Sequence, residues 1–69
     1  MEKQKLKAAI KYGNGSITSL AAVLGYSRQN LTRKINAGTL TEKELQTIAA
    51  ALNAEYIPAA IQFKDGTKI

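Results

Sequence analysis

The chain has 69 residues, a formal net charge of +5, and neither cysteine nor histidine. These absences exclude disulfides, thiol nucleophiles, histidine bases and the usual zinc ligands, and Glu42 and Glu44 stand two apart, where they do not share a helix face. We therefore expect one small domain without metal, cofactor or catalytic residues, which is not an enzyme.

The positive charge is concentrated in the first part of the chain. Up to Gly38 there are seven cations and one anion, a net charge of +6, whereas three cations and four anions from Thr39 onward give −1. This asymmetry indicates a polyanionic partner, and DNA is favoured over an anionic membrane because the first helix has no Trp or Phe to embed. The N-terminus lacks the apolar run of a signal peptide and no apolar run is long enough to span a bilayer, so we expect a cytoplasmic protein.

The first predicted helix covers residues 3–12 and ends at the Gly13–Gly15 break. Its inner stripe consists of Leu6, Ala9 and Ile10. Lys3, Lys7 and Lys11 recur at i+4 on the outer face, where they either contact phosphates or only keep the domain soluble.

Two further helices are predicted at residues 17–24 and 28–36, joined by a turn at Gly25. Ser16 and Ser27 are suitable N-caps, and Gly25 tolerates the positive φ that a tight turn needs. The inner residues are Ile17, Leu20, Ala21 and Leu24 in the first helix, and Leu31 and Ile35 in the second. Ala21 is small enough for two crossing helices to approach closely. The spacing fits an ordinary helical hairpin as well as a DNA-binding motif.

The outer face of the helix at 28–36 decides between these two interpretations. It carries Arg28, Gln29, Thr32 and Arg33, and the helix has no acidic residue. Arg can pair with guanine, Gln with adenine, and Thr can contact a thymine methyl or a phosphate. A face that is only solvated usually mixes the two signs of charge. We therefore predict that these four residues read base edges in the major groove of double-stranded DNA.

Phosphate contacts are predicted on either side of this face. The N-terminus of the helix at 17–24 offers free N–H groups and the positive end of a helix dipole. The predicted phosphate-binding residues are Asn14, Ser16, Thr18, Lys34, Asn36 and Thr39. Tyr26, in the turn, can pack on the core or donate its hydroxyl to a phosphate.

The fourth predicted helix has the clearest start in the chain. Thr41 and Glu44 form a capping box, with Leu40 and Leu45 as the hydrophobic staple around it. The inner stripe consists of Leu45, Ile48, Ala49 and Leu52. Asn53 is the expected left-handed C-cap, and the helix closes the core over the preceding pair.

Residues 55–69 are predicted to form a β-hairpin that follows a helical domain of residues 1–54. Alternation places Ile57, Ala59, Ile61 and Phe63 on one face of a strand. Asp65-Gly66 indicates a type I′ turn, after which residues 67–69 return as a short second strand. A lone hairpin is marginal in water, so the four alternating residues are expected to cover the core of the subunit or, as we favour, to form a homodimer interface.

The segment from Tyr12 to Gly38 closely resembles the helix-turn-helix of phage Cro and lambda-repressor-type regulators. The matching residues are Ala21, Leu24, Gly25, Ser27, Leu31 and the Ile35–Gly38 ending. The resemblance implies a mainly α fold, with four helices and a short C-terminal β-hairpin that helps to form dimers. It also implies that base reading falls on the four residues named above. Many members of that family have Gln where this chain has Ile17. Part of the usual contact to the DNA backbone is therefore missing here, or is supplied by Asn14, Ser16 and the N-terminus of the helix.

Together these features predict a sequence-specific transcriptional regulator that binds a palindromic operator as a dimer. The resemblance implies a Cro-like repressor of phage, prophage or mobile-element origin. The main alternative is a helix-turn-helix module that binds another regulator, as a modulator, antirepressor or antitoxin does. A nonspecific architectural DNA binder is a third hypothesis.

Overall fold

The computed structural model describes residues 1–58 and 60–69 and is mainly helical, as predicted. Four helices are followed by a two-stranded antiparallel sheet. The elements are α1 (Lys3–Tyr12), α2 (Ile17–Leu24), α3 (Arg28–Ala37), α4 (Glu42–Ala51), β1 (Ala54–Ile57) and β2 (Ala60–Phe63). Within the described ranges, none of the helices has the length and apolar character needed to cross a membrane.

Each helix begins at a side-chain oxygen that accepts a backbone N–H of its own first turn. The N-caps are Glu2, Ser16, Ser27 and Thr41. Such caps satisfy N–H groups that have no partner inside the helix. The predicted start of every helix is therefore confirmed, although the capping role of Glu2 was not predicted.

The helix ends also agree with the sequence to within one residue. Gly25 and Gly38 adopt the left-handed conformation, with φ of 77° and 68°, and α3 runs one residue further than predicted, to Ala37. The predicted left-handed conformation of Asn53 is confirmed by its φ of 56°. Helix α4 nevertheless ends one position earlier than expected, with Leu52 as its C-cap.

One hydrophobic core joins the helices to the hairpin. Its buried residues are Leu6, Ala9, Ile10, Leu20, Ala21, Leu31, Ile35, Leu45, Ile48, Ala49, Leu52, Ile61 and Phe63. Helix α2 packs against α3 and α4, and α4 packs against β1. Because β2 supplies Ile61 and Phe63 to the same core, the hairpin is packed into the body rather than appended to it.

The predicted continuous strand through residues 56–63 is wrong, because the chain folds back after Ile57. The register pairs Ala54 with Phe63, Glu55 with Gln62, Tyr56 with Ile61, and Ile57 with Ala60. Paired residues of an antiparallel ladder share a face. Ile57 therefore lies on the face opposite to Ile61 and Phe63, whereas the alternation had placed all three together. The turn at Pro58 changes the phase of the alternation, and an apolar pattern alone does not reveal such a change.

The Asp65-Gly66 turn exists, but its type differs from the prediction. The amide of Gly66 donates to the Phe63 carbonyl over 3.0 Å, and that of Phe63 donates to the Thr67 carbonyl over 2.8 Å. Gly66 has a φ of 92°, whereas Asp65 has no positive φ, which a type I′ turn requires. The loop is therefore a three-residue one with Gly66 in its left-handed position. The chain returns antiparallel to β2, since Ile69 exchanges two backbone hydrogen bonds with Ile61. Residues 67–69 nevertheless form only an isolated bridge, between Gln62 and Lys68, and not the predicted second strand.

Tyr12 fastens this last turn to the end of α1. Its hydroxyl donates to the Asp65 carboxylate and lies 3.0 Å from the Thr67 hydroxyl. The edge of its ring packs on Phe63, with the ring centroids 4.7 Å apart. The hydrogen bond from Tyr12 is the main reason that the pKa of Asp65 is lowered. One aromatic side chain therefore connects the end of α1 to the Asp65-Gly66 turn.

Candidate nucleic-acid interface

Helices α2 and α3 form a helix-turn-helix whose inner contacts match the prediction. Ala21 is 1% exposed where α2 approaches α3, and Leu31 and Ile35 are 0% and 2% exposed. The turn is closed by backbone hydrogen bonds from Gly25 to the Ala22 carbonyl and from Tyr26 to the Ala21 carbonyl. These contacts hold the inner side of α3 against the body and leave its other side to solvent.

The outer side of α3 brings together all four predicted base-reading residues. Arg28, Gln29, Thr32 and Arg33 are exposed and line one shallow concavity, with Asn36 and Ala37 at its end. Within the described part of the chain, Arg28, Gln29 and Arg33 form no hydrogen bond or ion pair through their side chains. The Thr32 hydroxyl donates to the Arg28 carbonyl over 3.0 Å, which occupies its proton inside the helix. We call this surface the α3 outer face.

Lys34 lies at the side of the α3 outer face and is half-buried. Its ammonium nitrogen is 5.1 Å from the centroid of the Tyr26 ring, within the range of a cation–π interaction. This position is compatible with a phosphate contact, because ring contact leaves the ammonium donors available to other oxygens.

The structure decides the open question of Tyr26, which packs against the core and donates its hydroxyl to Glu44. The other carboxylate oxygen of Glu44 accepts the Thr41 amide over 2.9 Å, completing the predicted capping box. The Tyr26 hydroxyl is the largest cause of the lowered pKa of Glu44, and the same hydrogen bond raises the pKa of Tyr26. One carboxylate therefore connects the turn of the motif to the start of α4.

This connection was missed from the sequence because its two residues are 18 positions apart. The capping-box pattern identifies one oxygen of Glu44, but nothing local indicates what its second oxygen contacts. Tyr26 was left with two possible roles for the same reason.

The predicted phosphate-binding residues lie at both ends of the motif. Asn14 and Thr18 are exposed beside the N-terminus of α2, and Asn36 and Thr39 are exposed near the C-terminus of α3. Asn14 has a left-handed φ of 57°, which Asn adopts more readily than most residues.

Ser16 is engaged inside α2, and its contact with a phosphate stays a prediction. Its hydroxyl oxygen accepts the Ser19 amide over 3.0 Å, and its proton goes to the Ser19 hydroxyl over 2.9 Å. The proton that a phosphate contact requires is therefore already donated. Ser19 is exposed and has its own hydroxyl proton to offer, so it is the better donor at this end of α2.

The fold separates those predicted dimerisation residues that the structure describes. Ile61 and Phe63 are 0% and 8% exposed and belong to the core of the subunit, so they cannot contact a second copy in this fold. The prediction for these two is corrected accordingly. Ile57 is half-buried on the opposite face of the hairpin, and Ala59 lies outside the described residues.

Comparison with known proteins identifies a family whose model matches the helix-turn-helix. Residues 1–38 match the family model described as bacterial regulatory protein, Fis family. The match covers α1, α2 and α3, ends at the left-handed Gly38 and includes the whole α3 outer face. It supports a helix-turn-helix regulator without supporting the Cro or lambda-repressor type in particular. No curated protein and no solved structure matches the chain.

Proposed function

Because the chain belongs to the Fis family of bacterial regulatory proteins and is a DNA-binding helix-turn-helix regulator, we propose that it recognises a specific sequence in double-stranded DNA through α3. The observation that carries this proposal is the α3 outer face, whose cationic and amide side chains have no partner inside the described part of the subunit. A duplex offers such partners in its major groove.

The chemistry of the α3 outer face fits base edges. Arg28 and Arg33 can each donate two parallel hydrogen bonds to O6 and N7 of guanine, and Gln29 can pair with N6 and N7 of adenine. With its proton held by the helix backbone, Thr32 offers a methyl group, which suits the methyl of thymine.

Phosphates on both sides fix the docking in this proposal. The N-terminus of α2 presents unpaired N–H groups beside Asn14, Thr18 and Ser19. At the other end, Lys34, Asn36 and Thr39 surround the last turn of α3. Contacts of this kind set the position of the protein on the duplex and add affinity that depends on salt.

A homodimer remains part of the proposal, with a revised interface. The backbone groups of Ile61 point toward Ile69, so those of its partner Tyr56 point away, to the free edge of β1. A second copy can pair with this edge and cover Ile57 and Ala60. Two copies of α3 spaced by ~34 Å would then enter successive major grooves of a palindromic operator.

In this proposal the protein acts as a short Cro-like repressor in the bacterial cytoplasm, from a phage, a prophage or another mobile element. Binding of the dimer occludes a promoter.

Selection from a random double-stranded oligonucleotide pool tests the proposal. We expect enrichment of an imperfect palindrome whose half-sites lie one helical turn apart. Fluorescence anisotropy should then show that the selected duplex displaces random DNA strongly. The Arg28→Ala variant should weaken this displacement, whereas Lys43→Ala, which removes an exposed cation of α4, should keep it.

The other outcomes distinguish the alternatives. Tight binding without enrichment of any sequence would identify an architectural DNA binder. No measurable binding of any duplex would favour a module that acts on another protein and would reject the proposal.

Lys34 provides a second test of the docking. The Lys34→Ala variant should weaken binding to all duplexes alike and reduce the dependence of log K on log salt concentration by about one unit of slope. An unchanged slope would remove Lys34 from the phosphate contacts.

A further inference from the structure

A cavity of about 310 Å³ lies beside the reading helix, between α1, the start of α2 and α3. Ile10, Ile17 and Ile35 form its apolar surface, Lys7 and Lys11 stand on its α1 side, and Thr32 forms part of the α3 wall. We call it the α1–α3 cavity. Its size falls within the range of small-molecule sites in proteins, which are mostly apolar with a few polar groups.

The charges around the α1–α3 cavity have one sign. Lys7 and Lys11 are one helical turn apart and exposed, and no acidic side chain lines the cavity. Neither lysine forms an ion pair with another described residue. An occupant that carries a negative charge at one end therefore meets two cations that form no ion pair with any described residue.

The apolar lining of the cavity indicates the chemistry of the uncharged part of the occupant. Ile10 and Ile35 are 5% and 2% exposed, and the half-buried Ile17 closes the side toward α2. A hydroxyl-rich ligand would leave polar groups without hydrogen bonds against these side chains, which is unfavourable. A hydrocarbon chain gains from the same contact, because apolar surface leaves water.

We propose that the α1–α3 cavity binds a small amphipathic anion, namely a medium-chain aliphatic carboxylate. The hydrocarbon chain lies against the three isoleucines, and the carboxylate lies between Lys7 and Lys11. This site provides the domain with a position for a small-molecule effector inside its DNA-binding unit.

The consequence for DNA binding rests on the proposed function. Thr32 belongs both to the α1–α3 cavity and to the α3 outer face, and Ile17 is the first residue of α2, whose N-terminus is proposed to hold a phosphate. A bound carboxylate brings one negative charge close to DNA phosphates and offsets part of the positive charge of the two lysines. Occupation of the cavity should therefore weaken binding to the duplex.

Octanoate is the probe for the site itself, in the absence of DNA. Titration into the ¹⁵N-labelled protein should shift the amide signals of Lys11, Ile17, Thr32 and their neighbours in a saturable way. Octanoate should bind at least ~10-fold more tightly than butanoate, since each buried methylene adds affinity. Acetate and octan-1-ol, which lack the chain and the charge respectively, should bind weakly. Equal affinities for acetate and octanoate, or shifts spread over the whole surface, would overturn the proposal.

Two variants test the assigned residues. The Lys7→Gln/Lys11→Gln double variant should bind octanoate at least ~10-fold more weakly, whereas Lys3→Gln/Lys43→Gln, which removes the same charge elsewhere, should bind it normally. Ile17→Phe should narrow the cavity at its α2 side and weaken octanoate binding. If Ile17→Phe fails to fold, the two lysine variants, which change exposed side chains, still decide the question.

A final measurement separates this proposal from the proposed function. Octanoate should lower the affinity of the wild-type protein for its selected duplex and have no effect on the Lys7→Gln/Lys11→Gln variant. If octanoate binds at the mapped site but the protein binds no DNA, the cavity assignment stands and the proposed function fails. If DNA binds while octanoate does not, the reverse holds.

Discussion

The first 38 residues and the last 31 differ in the sequence separation of their contacts. Neighbouring residues determine the structure of the first part, whereas distant residues determine that of the last part. In the first part, the starts and ends of α2 and α3 are set by neighbours, since Ser16 and Ser27 bond within their own first turns and Gly25 and Gly38 end the helices. In the last part, the hairpin depends on distant partners, such as Tyr12, which bonds to Asp65 53 positions away. The part with a net charge of +6 is therefore shaped locally, and the nearly neutral part acts as its support.

The two parts therefore carry different tasks within one core. The first part leaves the side chains of Arg28, Gln29 and Arg33 without a hydrogen bond or ion pair among the described residues, while the last part contributes Ile61 and Phe63 to the packing. Changes in the support should therefore appear in stability, and changes on the α3 outer face should appear in DNA binding.

The largest expected effect is on stability, through the packing of the last 31 residues. Ile61 is fully buried, so Ile61→Ala should lower the free energy of unfolding by about 2–5 kcal/mol through lost burial and a residual cavity. Ile57→Ala is the matched control, because Ile57 lies half-buried on the opposite face and should cost less than half as much. Urea denaturation measures both. Equal effects would show that the hairpin does not pack as described.

The next effect is on DNA binding alone. Arg28→Ala or Gln29→Ala should each weaken binding to the selected duplex by about 1–3 kcal/mol and relax the preference at one base pair. The thermal unfolding temperature should stay unchanged, because neither side chain has a partner in the described subunit. Anisotropy with single-base variants of the duplex checks the first expectation, and calorimetry the second. A large loss of stability would contradict the division between the two parts.

A smaller effect tests the local shaping of the motif. Gly25 has a φ of 77° and open space where a Cβ would lie, so Gly25→Ala should cost about 1 kcal/mol of stability through backbone strain alone. Gly25→Asn should recover most of this loss, since Asn accepts the left-handed conformation. If both variants lose the same stability, the cost is not conformational.

The smallest effect concerns the bond between Tyr26 and Glu44, which connects the two parts. The pKa of Glu44 is lowered in the folded state, so its ionised form stabilises the fold above the ordinary pKa of Glu, and this contribution disappears as the pH falls through the lowered value. Tyr26→Phe should therefore be less stable than wild type at neutral pH, and the difference should shrink in acid. Tyr56→Phe makes the same chemical change without such a bond and should show no such pH dependence. A difference for Tyr26→Phe that stays constant across pH would contradict this role.

Most of the helical architecture could be predicted because its signals lie within a few residues of each other. The caps at Ser16, Ser27 and Thr41 act within one turn, and so the helices begin where the sequence places them. The exposure of the four residues of the α3 outer face followed from the burial of Leu31 and Ile35 on the other side. Their contact with DNA stays a prediction.

What could not be predicted depends on contacts between distant residues. The alternation from Ile57 to Phe63 contains no sign of the turn that places Ile57 on the other face. The Tyr26–Glu44 bond and the α1–α3 cavity join segments that only the complete fold brings together. The engagement of Ser16 with Ser19 is local, but a single cap signal does not show which of the two hydroxyls keeps a free proton.

The absence of internal partners on the α3 outer face has a consequence for how such a protein can change. Exchange of Arg28, Gln29 or Arg33 removes no side-chain hydrogen bond or ion pair within the described subunit, so substitutions there should change the stability of the fold little. Target preference can therefore drift, or be reprogrammed in the laboratory, while the scaffold is inherited intact.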